Sequence, residues 1–589
     1  MTTELGRRVA EEPIPDVGPR PRPGRRGFFW WGAGAYLLSM AALVVVMMRA
    51  TGGSLIYPLD DTAIHLLISE NLANHGTWGV VPGHFQSASS SPLWTVLLAG
   101  ADLVIPFTNV AIPLVFNVLA GLWVVAALGA DQRVLVPSRR RPLDGPAVAV
   151  LVVVILFLPG ASILAMEHVL HAALALSALV LFQRSADGRD IGWPRWMPYL
   201  LLGLATVARL ETAFLTVGLV AASLSVALWD PDRSGRRRWL PERASLVRSG
   251  LIALCSFGPL VVLSLTNRAM GQGFLPNSVL AKAQGVNGAD GGLVPITILN
   301  RLTRDSVLCG VTIAVLVALL LGWGRRRFVF GAIAVAITVV LHVIVADVGW
   351  YDRYQTYLVI LCAFVLLSAV SEVAPVGVQD TIDTAPGTEG RPRVRVDVRR
   401  TWLVGGLTIV ALLVCGQKVS LTWQVGRAVS DTYTQRYQAG RFLDRYYDGE
   451  PIATGELGYI GLQHEGPITD LLGLGDYEVL EARRSYDQRP PKEYWAGLGE
   501  ERGFDVAAVY PTTLWFDVPD EWILVGDWTL DHPTITAFDP TFQFWATRPE
   551  EVAPLQEHLR EFDKELPDGA TTNFNEFATI RAERALAGQ

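Results

Sequence analysis

The chain has 589 residues, of which 51% are hydrophobic and 18% are charged. An apolar composition at this length predicts a polytopic membrane protein with room for one soluble domain, and the net charge of −7 gives no support for nucleic-acid binding. All the cysteines fall in apolar runs, which indicates small core residues and not a disulfide framework. They are Cys255, Cys309, Cys362 and Cys415.

A long series of apolar runs follows the N-terminal tail. Residues 1–27 predict a disordered cytoplasmic tail and 375–400 a disordered linker, because both are rich in proline and charge. Residues 28–420 form the predicted transmembrane domain, since runs near the length of about 20 residues that crosses a bilayer recur there. Placing the Arg-rich stretches in the cytoplasm gives about eleven transmembrane helices, with the C-terminus outside. The predicted spans are 28–48, 109–129, 147–166, 168–182, 196–208, 212–229, 249–266, 305–323, 328–346, 355–372 and 401–420.

Two adjacent carboxylates, Asp60 and Asp61, follow the first span at the start of a helical pattern that Gly76 can end. A helix N-cap accounts for one aspartate but not for both. A carboxylate pair can hold a divalent cation, or mutual repulsion can raise one pKa and leave a base ready to take a proton. His65, four residues after Asp61 on the same helix face, could orient a carboxylate, ligate a metal or face water.

The apolar segment 91–106 is shorter than a spanning helix. If it crossed the membrane, every later loop would change sides and the Arg-rich loops would lie outside. We therefore predict a helix in the outer interface or one that dips in and returns. Its Trp94 suits the headgroup belt.

This topology sends five pieces of chain to the outer face, and the first of them, 51–108, carries the acidic pair. Charged groups in a membrane cost free energy and are usually functional. The alternative is that these residues are polar only because loops generally are. The other pieces, 165–169, 208–212, 267–304 and 346–354, contain Glu167, His168, Arg209, Glu211, Asn277, Lys282 and Arg353.

From about residue 421 the chain becomes soluble in character. "DVAAVYP" and "WILVG" predict buried strands, and "EVAPLQEHLREFDKEL" predicts a helix. Residues 421–589 therefore predict an extracytoplasmic α/β domain large enough for its own core. Most of its tryptophans and tyrosines are interpreted as core residues, although aromatic faces also stack on sugars.

Several motifs carry a resemblance to a known family. They are "DDTAIHLLISENLANHGTWG", "SSSPLWTVLLAG", "MEHVLHAALAL", "GLATVARLE", "FLPNSVLAKAQG", "DRYQTYLVIL", "GELGYIGL" and "ITDLLGLG". The chain resembles the GT-C superfamily of membrane glycosyltransferases, which use polyprenyl-phosphate sugars. It is most similar to actinobacterial proteins related to the mycobacterial terminal arabinofuranosyltransferase. "LAMEH" and "RLE" depart from the family's usual "SGMET" and "RPE", which leaves the sugar open.

The resemblance implies that Asp60 is the catalytic base and Asp61 its partner. Transfer from a polyprenyl phosphate needs a base for the acceptor hydroxyl and positive charge for the departing phosphate. We expect the phosphate ligands to come from Lys282, Arg353, Arg209 and Asn277. Contacts to the sugar or the acceptor are expected from His65, Glu167, His168 and Glu211.

Two functions from different classes remain open. The first is an inverting glycosyltransferase of the cytoplasmic membrane. It would move a monosaccharide, arabinofuranose or another, to a cell-envelope glycan, lipoglycan or protein on the outer face. The second is a transporter or flippase of lipid-linked sugars, since charges in a membrane also mark transport paths. Charges clustered at one face, and no internal repeat, favour the enzyme. No cofactor is certain, and a divalent cation at Asp60 and Asp61 stays open.

Overall fold

The computed structural model describes residues 24–105, 109–130, 158–229, 242–281, 294–322, 326–346, 351–373, 413–414, 416–417, 420–514 and 517–587. Within these ranges, four helices are long and apolar enough to cross a membrane, or five if the bent pair Ile298–Arg304 and Ser306–Leu320 is one span. The helices before residue 400, in chain order, are Gly24–Ala50, Asp60–His75, Pro92–Asp102, Ile112–Ala130, Leu158–Ser162, His168–Ala186, Met197–Ala208, Thr212–Trp229, Arg243–Ala269, Val294–Arg304, Ser306–Gly322, Arg326–Val345 and Thr356–Val373.

The predicted spans can be compared with these helices. Most of 147–166 and 401–420 lies outside the described residues, and each of the other predicted spans overlaps a helix. Several of these helices are shorter than a bilayer needs, so about eleven crossings stays a prediction. Residues 1–23 of the predicted tail and the linker 375–400 lie outside the described residues.

Helix His168–Ala186 lies at the centre of the membrane part. It is predominantly apolar between the polar residues near its two ends, and 72% of its apolar stretch is buried within the structure. Helix Arg243–Ala269 lies at the periphery, with only 17% buried, and exposes large apolar side chains such as Leu254 and Val262. Exposed apolar helix faces around a packed centre are what a bilayer solvates.

Helix Asp60–His75, which we call the acidic helix, ends as the sequence predicts. Gly76 takes the left-handed conformation, with φ of 63°, and its N–H closes the last turn. The next helix, Pro92–Asp102, has 11 residues. At 1.5 Å per residue it is about 16 Å long, roughly half the hydrocarbon thickness of a bilayer. The expected place of Trp94 in a headgroup belt is wrong, because its side chain is fully buried and packs edge-on against Phe116.

The C-terminal part contains a six-stranded sheet in the order β2-β1-β3-β5-β4-β6. Strand β1 pairs in parallel with β2 and β3, and the other pairings are antiparallel. The predicted strands at "DVAAVYP" and "WILVG" are confirmed as β3 and β4. The helix predicted over 551–566 is confirmed as the α-helix Val552–Phe562, followed by a 3-10 turn at Asp563–Glu565. The strands are β1 Ile452–Thr454, β2 Ile468–Asp470, β3 Val506–Val509, β4 Ile523–Leu530, β5 Thr541–Ala546 and β6 Ala570–Phe574. The helices of this part are 420–432, Gln438–Tyr447, Leu457–Gly461, Tyr477–Ser485, Lys492–Arg502, Val552–Phe562 and Ala578–Ala587.

One helical path joins the two parts. Residues of helix 420–432, such as Val425 and Val429, pack in the apolar core of the membrane part. A π-helical turn, Tyr433–Tyr437, leads into helix Gln438–Tyr447, whose Phe442 packs in the core of the sheet. The two cores are therefore joined by continuous helical structure. A domain boundary near residue 421 stays a prediction.

Candidate active site

A cavity of about 310 Å³ lies between the acidic helix and the C-terminal part. The membrane part contributes the acidic pair, the turn before helix Thr356–Val373 and the end of the described stretch 242–281. The lining residues are Leu59, Asp60, Asp61, Ile64, Ala281, Arg353, Arg436, Gly455, Glu456, Leu472, Leu474, Arg483, Gln488, Thr536 and Phe538. The cavity thus combines carboxylates, guanidinium groups and apolar wall.

Asp60 is buried where the two parts of the chain meet. Its carboxylate accepts hydrogen bonds from the backbone N–H groups of Gly458, at 2.8 Å, and Tyr459, at 3.0 Å, in the first turn of helix Leu457–Gly461. Asp60 thus binds the positive end of a helix other than its own. Burial raises the pKa of Asp60, whereas Arg436 and the two N–H groups act in the opposite direction.

Gly458 is required by this contact. A Cβ atom at this position would lie 2.4 Å from the backbone oxygen of Asp60 and 2.6 Å from its Oδ1, far inside van der Waals contact. The absence of a side chain therefore lets the two backbones approach closely enough for the carboxylate to be bound. The "GELGYIGL" motif is explained in part by this steric need.

Asp61 has a different partner. Its carboxylate accepts hydrogen bonds from Nη1 of Arg353, at 2.9 Å, and from Nη2, at 3.5 Å. The side chain of Asp61 keeps 40% of its surface exposed, whereas that of Arg353 keeps 4%. Arg353 also donates to the hydroxyl of Tyr354 at 2.8 Å. The structure therefore brings three of the predicted site residues, Asp60, Asp61 and Arg353, into one cavity.

The turn that carries Arg353 has an unusual backbone. Tyr351 and Asp352 both have positive φ, 65° and 52°, a conformation that costs side-chain-bearing residues energy. The turn is held by Asp352, whose buried carboxylate accepts a hydrogen bond from Gln417 at 2.6 Å. This arrangement fixes the position from which Arg353 reaches the cavity.

The C-terminal part supplies charged residues that sequence reasoning did not select. Arg436 and Glu456 are both about 97% buried and form an ion pair, with 2.5 Å between Nε and Oε2. Burial, with a further contribution from the charge of Asp60, raises the pKa of Glu456 to about 8, although Arg436 lowers it. Glu456 stands in the quoted "GELGYIGL" motif, which was a usable signal. Arg436 lies in no motif that marked it.

Arg483 is the third such residue. Its Nη1 donates to the backbone carbonyls of Leu471, at 3.1 Å, and Thr513, at 2.9 Å. Burial lowers the pKa of Arg483. The neighbouring loop is fixed by Asp470, whose carboxylate accepts hydrogen bonds from the backbone N–H groups of Leu472 and Gly475. These contacts hold the apolar wall of the cavity and leave a buried positive charge beside it.

Five of the predicted residues form a second cluster that does not line the cavity. Arg209 donates to Glu167 at 2.5 Å, to Glu211 at 2.5 and 3.0 Å, and lies 3.0 Å from Nε2 of His168. His65, on the acidic helix, lies 3.5 Å from Glu167. Their expected contacts with donor phosphate, sugar or acceptor stay predictions. The ring of Tyr354 lies between Arg209, at 5.3 Å, and Arg353, at 4.9 Å, and so connects this cluster to the cavity.

Asn277 and Lys282 were also predicted to bind phosphate. Asn277 is fully buried, and its backbone N–H donates to the carbonyl of Ser87 at 2.8 Å. It does not line the cavity, although Ala281, four residues later, does. Lys282 lies outside the described residues.

The carboxylates of the acidic pair already have protein partners. Both oxygens of each aspartate accept hydrogen bonds from N–H groups, but each oxygen keeps a second lone pair, so a divalent cation at Asp60 and Asp61 stays a prediction. In the part of the chain that the structure describes, no group of three or more His, Cys, Asp or Glu residues could hold a metal ion. The geometry therefore assigns Asp60 and Asp61 protein partners.

The fold and this cavity define a polytopic helical membrane protein with a C-terminal α/β part. A family described as a domain of unknown function, DUF8728, matches residues 426–545. No curated protein sequence matches the chain.

Solved structures that resemble the chain were found. It is similar to the crystal structure of ArnT from Cupriavidus metallidurans in the apo state, with 14% identity, a TM-score of 0.49, and coverage of 87% of this chain and 98% of that one. ArnT bound to undecaprenyl phosphate gives 13% identity and a TM-score of 0.47 over the same shares. The cryo-EM structure of the arabinofuranosyltransferase AftD from Mycobacteria gives 15% identity and a TM-score of 0.38, over 87% of this chain and 40% of that one.

Proposed function

We propose that the chain is an inverting glycosyltransferase of the GT-C type, acting at the outer face of the cytoplasmic membrane. It moves a monosaccharide, with arabinofuranose as our first candidate, from a polyprenyl-phosphate donor to a cell-envelope glycan, lipoglycan or protein. The observation that carries the proposal is the cavity in which Asp60, Asp61 and Arg353 meet. The motif resemblance supports it.

Asp60 is the proposed base. The acceptor oxygen attacks the anomeric carbon, the bond from that carbon to the phosphate oxygen breaks, and Asp60 takes the hydroxyl proton. A single displacement inverts the anomeric configuration. Each carboxylate oxygen of Asp60 accepts one backbone N–H and keeps a second lone pair for the proton. Burial raises the pKa of Asp60, which makes it a stronger base than a solvated aspartate.

Arg353 is the proposed electrostatic partner of the phosphate. The phosphate departs as an anion and needs no strong acid, but its charge needs stabilising. Arg353 is buried, so its interaction with an anion is screened less than at a solvated surface. Asp61 holds the guanidinium in place. Ala281 lines the cavity and is followed in the sequence by Lys282, which keeps that lysine as a second candidate.

Transfer by the purified full-length chain in lipid bilayers tests the proposal. A set of radiolabelled polyprenyl-monophosphate sugars, including decaprenyl-phosphate arabinofuranose, is offered with glycan acceptors. We expect a glycosylated product from at least one donor. Asp60→Asn keeps the size of the side chain and one of its two accepting oxygens, and it removes the basicity, so turnover should fall by about 10²–10⁴-fold.

The folding of Asp60→Asn is checked by its melting temperature. Turnover near that of the wild type in a folded Asp60→Asn would remove Asp60 as the base. No transfer by the wild type from any of these donors would contradict the proposed function itself.

A further inference from the structure

We propose that the Oε1 atom of Glu456 binds a sugar hydroxyl of the donor or the acceptor, so that the C-terminal part selects the substrate. This inference rests on the proposed function. Glu456 lines the same cavity as Asp60 and Asp61, and the residue is 3% exposed. Its two carboxylate oxygens differ: Oε2 accepts from Arg436, whereas Oε1 has no hydrogen-bond partner among the described residues.

A structural ion pair accounts for Oε2 but not for Oε1. A buried carboxylate oxygen without a partner costs free energy, and such atoms are rare in folded proteins. The backbone of Glu456 is fixed, since its N–H donates to Oγ1 of Thr454 at 3.0 Å. Its side chain is held through Oε2 by Arg436, which lies over the rings of Tyr510 and Phe538. Glu456 is therefore held beside the cavity with one oxygen unused.

The surroundings favour a hydroxyl as the ligand over a phosphate. Arginines also line the cavity, but Arg436 is already paired with Glu456 and Arg353 with Asp61. The charge of Glu456 itself therefore disfavours a phosphate at Oε1. A hydroxyl both donates and accepts, so it suits Glu456 in either protonation state. Phe538 lines the cavity with 52% of its surface exposed, and an aromatic face of this kind can pack against the apolar face of a sugar ring. The chemistry of the wall thus fits a neutral polyol.

A coupling experiment tests the inference. The probes are decaprenyl-phosphate arabinofuranose, an alkyl arabinofuranoside acceptor, and analogues of each that lack one hydroxyl. In the wild type, one analogue should lose about 10- to 100-fold in kcat/KM, the effect of one hydrogen bond to a charged group. In Glu456→Ala that loss should disappear, because the missing hydroxyl no longer has a partner.

Control variants separate this role from folding. Glu456→Gln keeps an oxygen toward Arg436 and one polar group beside the cavity, so it should fold and keep part of the discrimination. Glu465→Ala removes an exposed glutamate outside the cavity lining. Each analogue should lower kcat/KM by the same factor in this variant as in the wild type.

Two outcomes are distinguishable. Suppose the wild type transfers the sugar, but each analogue lowers kcat/KM by the same factor in the wild type and in Glu456→Ala. The assignment of Glu456 is then overturned, and the proposed glycosyltransferase activity still stands. If the wild type transfers from no polyprenyl-phosphate sugar, the proposed function fails, and the role of Glu456 fails with it.

Discussion

The carboxylate of Asp60 accepts two backbone N–H groups, whereas that of Asp61, one residue later, meets a guanidinium. The N-cap position of the acidic helix is occupied by Leu59, and no side chain caps the helix there. Neither aspartate is therefore used as an N-cap. One joins the C-terminal part to the membrane part, and the other orients a cation, which explains why adjacent like charges are tolerated.

Removing the charge of Arg353 tests its role at the phosphate. Arg353→Met keeps much of the apolar stem and should raise the donor concentration needed for half-maximal transfer by about ten- to a hundredfold, the effect of losing one charge-assisted contact. The acceptor concentration needed for half-maximal transfer should stay constant. Donor titration at fixed acceptor, and acceptor titration at fixed donor, are measured for both Arg353→Met and Lys282→Met.

Two controls accompany this titration. Arg441→Met removes a partly exposed arginine that pairs with Glu565 and does not line the cavity, so it should leave the donor dependence unchanged. Asp61→Asn keeps one oxygen for Arg353 and removes the negative charge, so it reports any effect that passes through Asp61. Unchanged donor dependence in both Arg353→Met and Lys282→Met would mean that the phosphate binds elsewhere, and Arg209 would be tested next.

At the scale of elements, a histidine helps to hold the loop after β4 against helix 420–432. Nε2 of His532 lies 2.7 Å from Asp431, and Nδ1 lies 2.7 Å from Asp531. Asp431 is fully buried and also accepts the backbone N–H of Ile535 at 2.7 Å. Partial burial lowers the pKa of His532 and Arg427 acts in the same direction, but the two aspartates prevail and raise it above 6.5.

This arrangement predicts a stability that depends on pH. Because the folded-state pKa of His532 lies above the unfolded value of about 6.5, its contribution is complete below that pH and is lost as pH rises through the folded-state pKa. The side chain is 21% exposed, so the contribution is about 1 kcal/mol or less. Melting temperatures of the wild type and His532→Gln should therefore differ at pH 6 and converge toward pH 9.

The exposed His75 provides the matched control for this measurement. His75→Gln should follow the wild type across the whole range. A difference between wild type and His532→Gln that stays constant or grows with pH would show that the histidine stabilises the loop by packing and not by charge.

At the scale of the whole molecule, the pieces of chain predicted for one membrane face come together. Arg353 of 346–354 meets Asp61 of 51–108, Arg209 of 208–212 meets Glu167 of 165–169, and Asn277 meets Ser87. Some of these residues are far apart in the sequence, and Asp61 and Arg353 are separated by 292 residues. Their convergence supports placing these pieces on one side of the membrane. Because the Arg-rich loops are predicted to be cytoplasmic, we predict that this side is the outer one.

Labelling single cysteines with a membrane-impermeant maleimide in intact cells tests that side. His84→Cys and Ser485→Cys should react, because both positions are exposed, and Asp190→Cys, in a loop predicted to be cytoplasmic, should react only after permeabilisation. Neighbouring Ser87 is only 2% exposed and is not suited to labelling. The parent chain, with its own cysteines, sets the background. Reaction of Asp190→Cys in intact cells would reverse the predicted orientation.

The sequence revealed the local features of the site, but not the contacts between distant segments. Local patterns were sufficient for the acidic helix, its end at Gly76, strands β3 and β4, and helix Val552–Phe562, since hydrophobic periodicity and glycine act over a few residues. The pairing of Arg436 with Glu456 depends on packing within the C-terminal part, and their approach to Asp60 depends on docking of that part against the acidic helix. Trp94 was misplaced because an apolar aromatic residue has the same local signature in a core and at a lipid surface.

The contact between Asp60 and the first turn of helix Leu457–Gly461 joins residues 398 positions apart. During synthesis, Asp60 therefore leaves the ribosome long before Gly458 and Tyr459, whose backbone N–H groups bind its carboxylate. Until the last third of the chain has been synthesised, moved to its place and folded, Asp60 has water in place of its two N–H donors, and the cavity lacks a wall. Long-range closure of this kind is slow to form and adds to the entropic cost of folding. A nascent or truncated chain accordingly has its acidic pair but no enclosed site, so the ability to use a substrate is acquired only when synthesis is nearly complete.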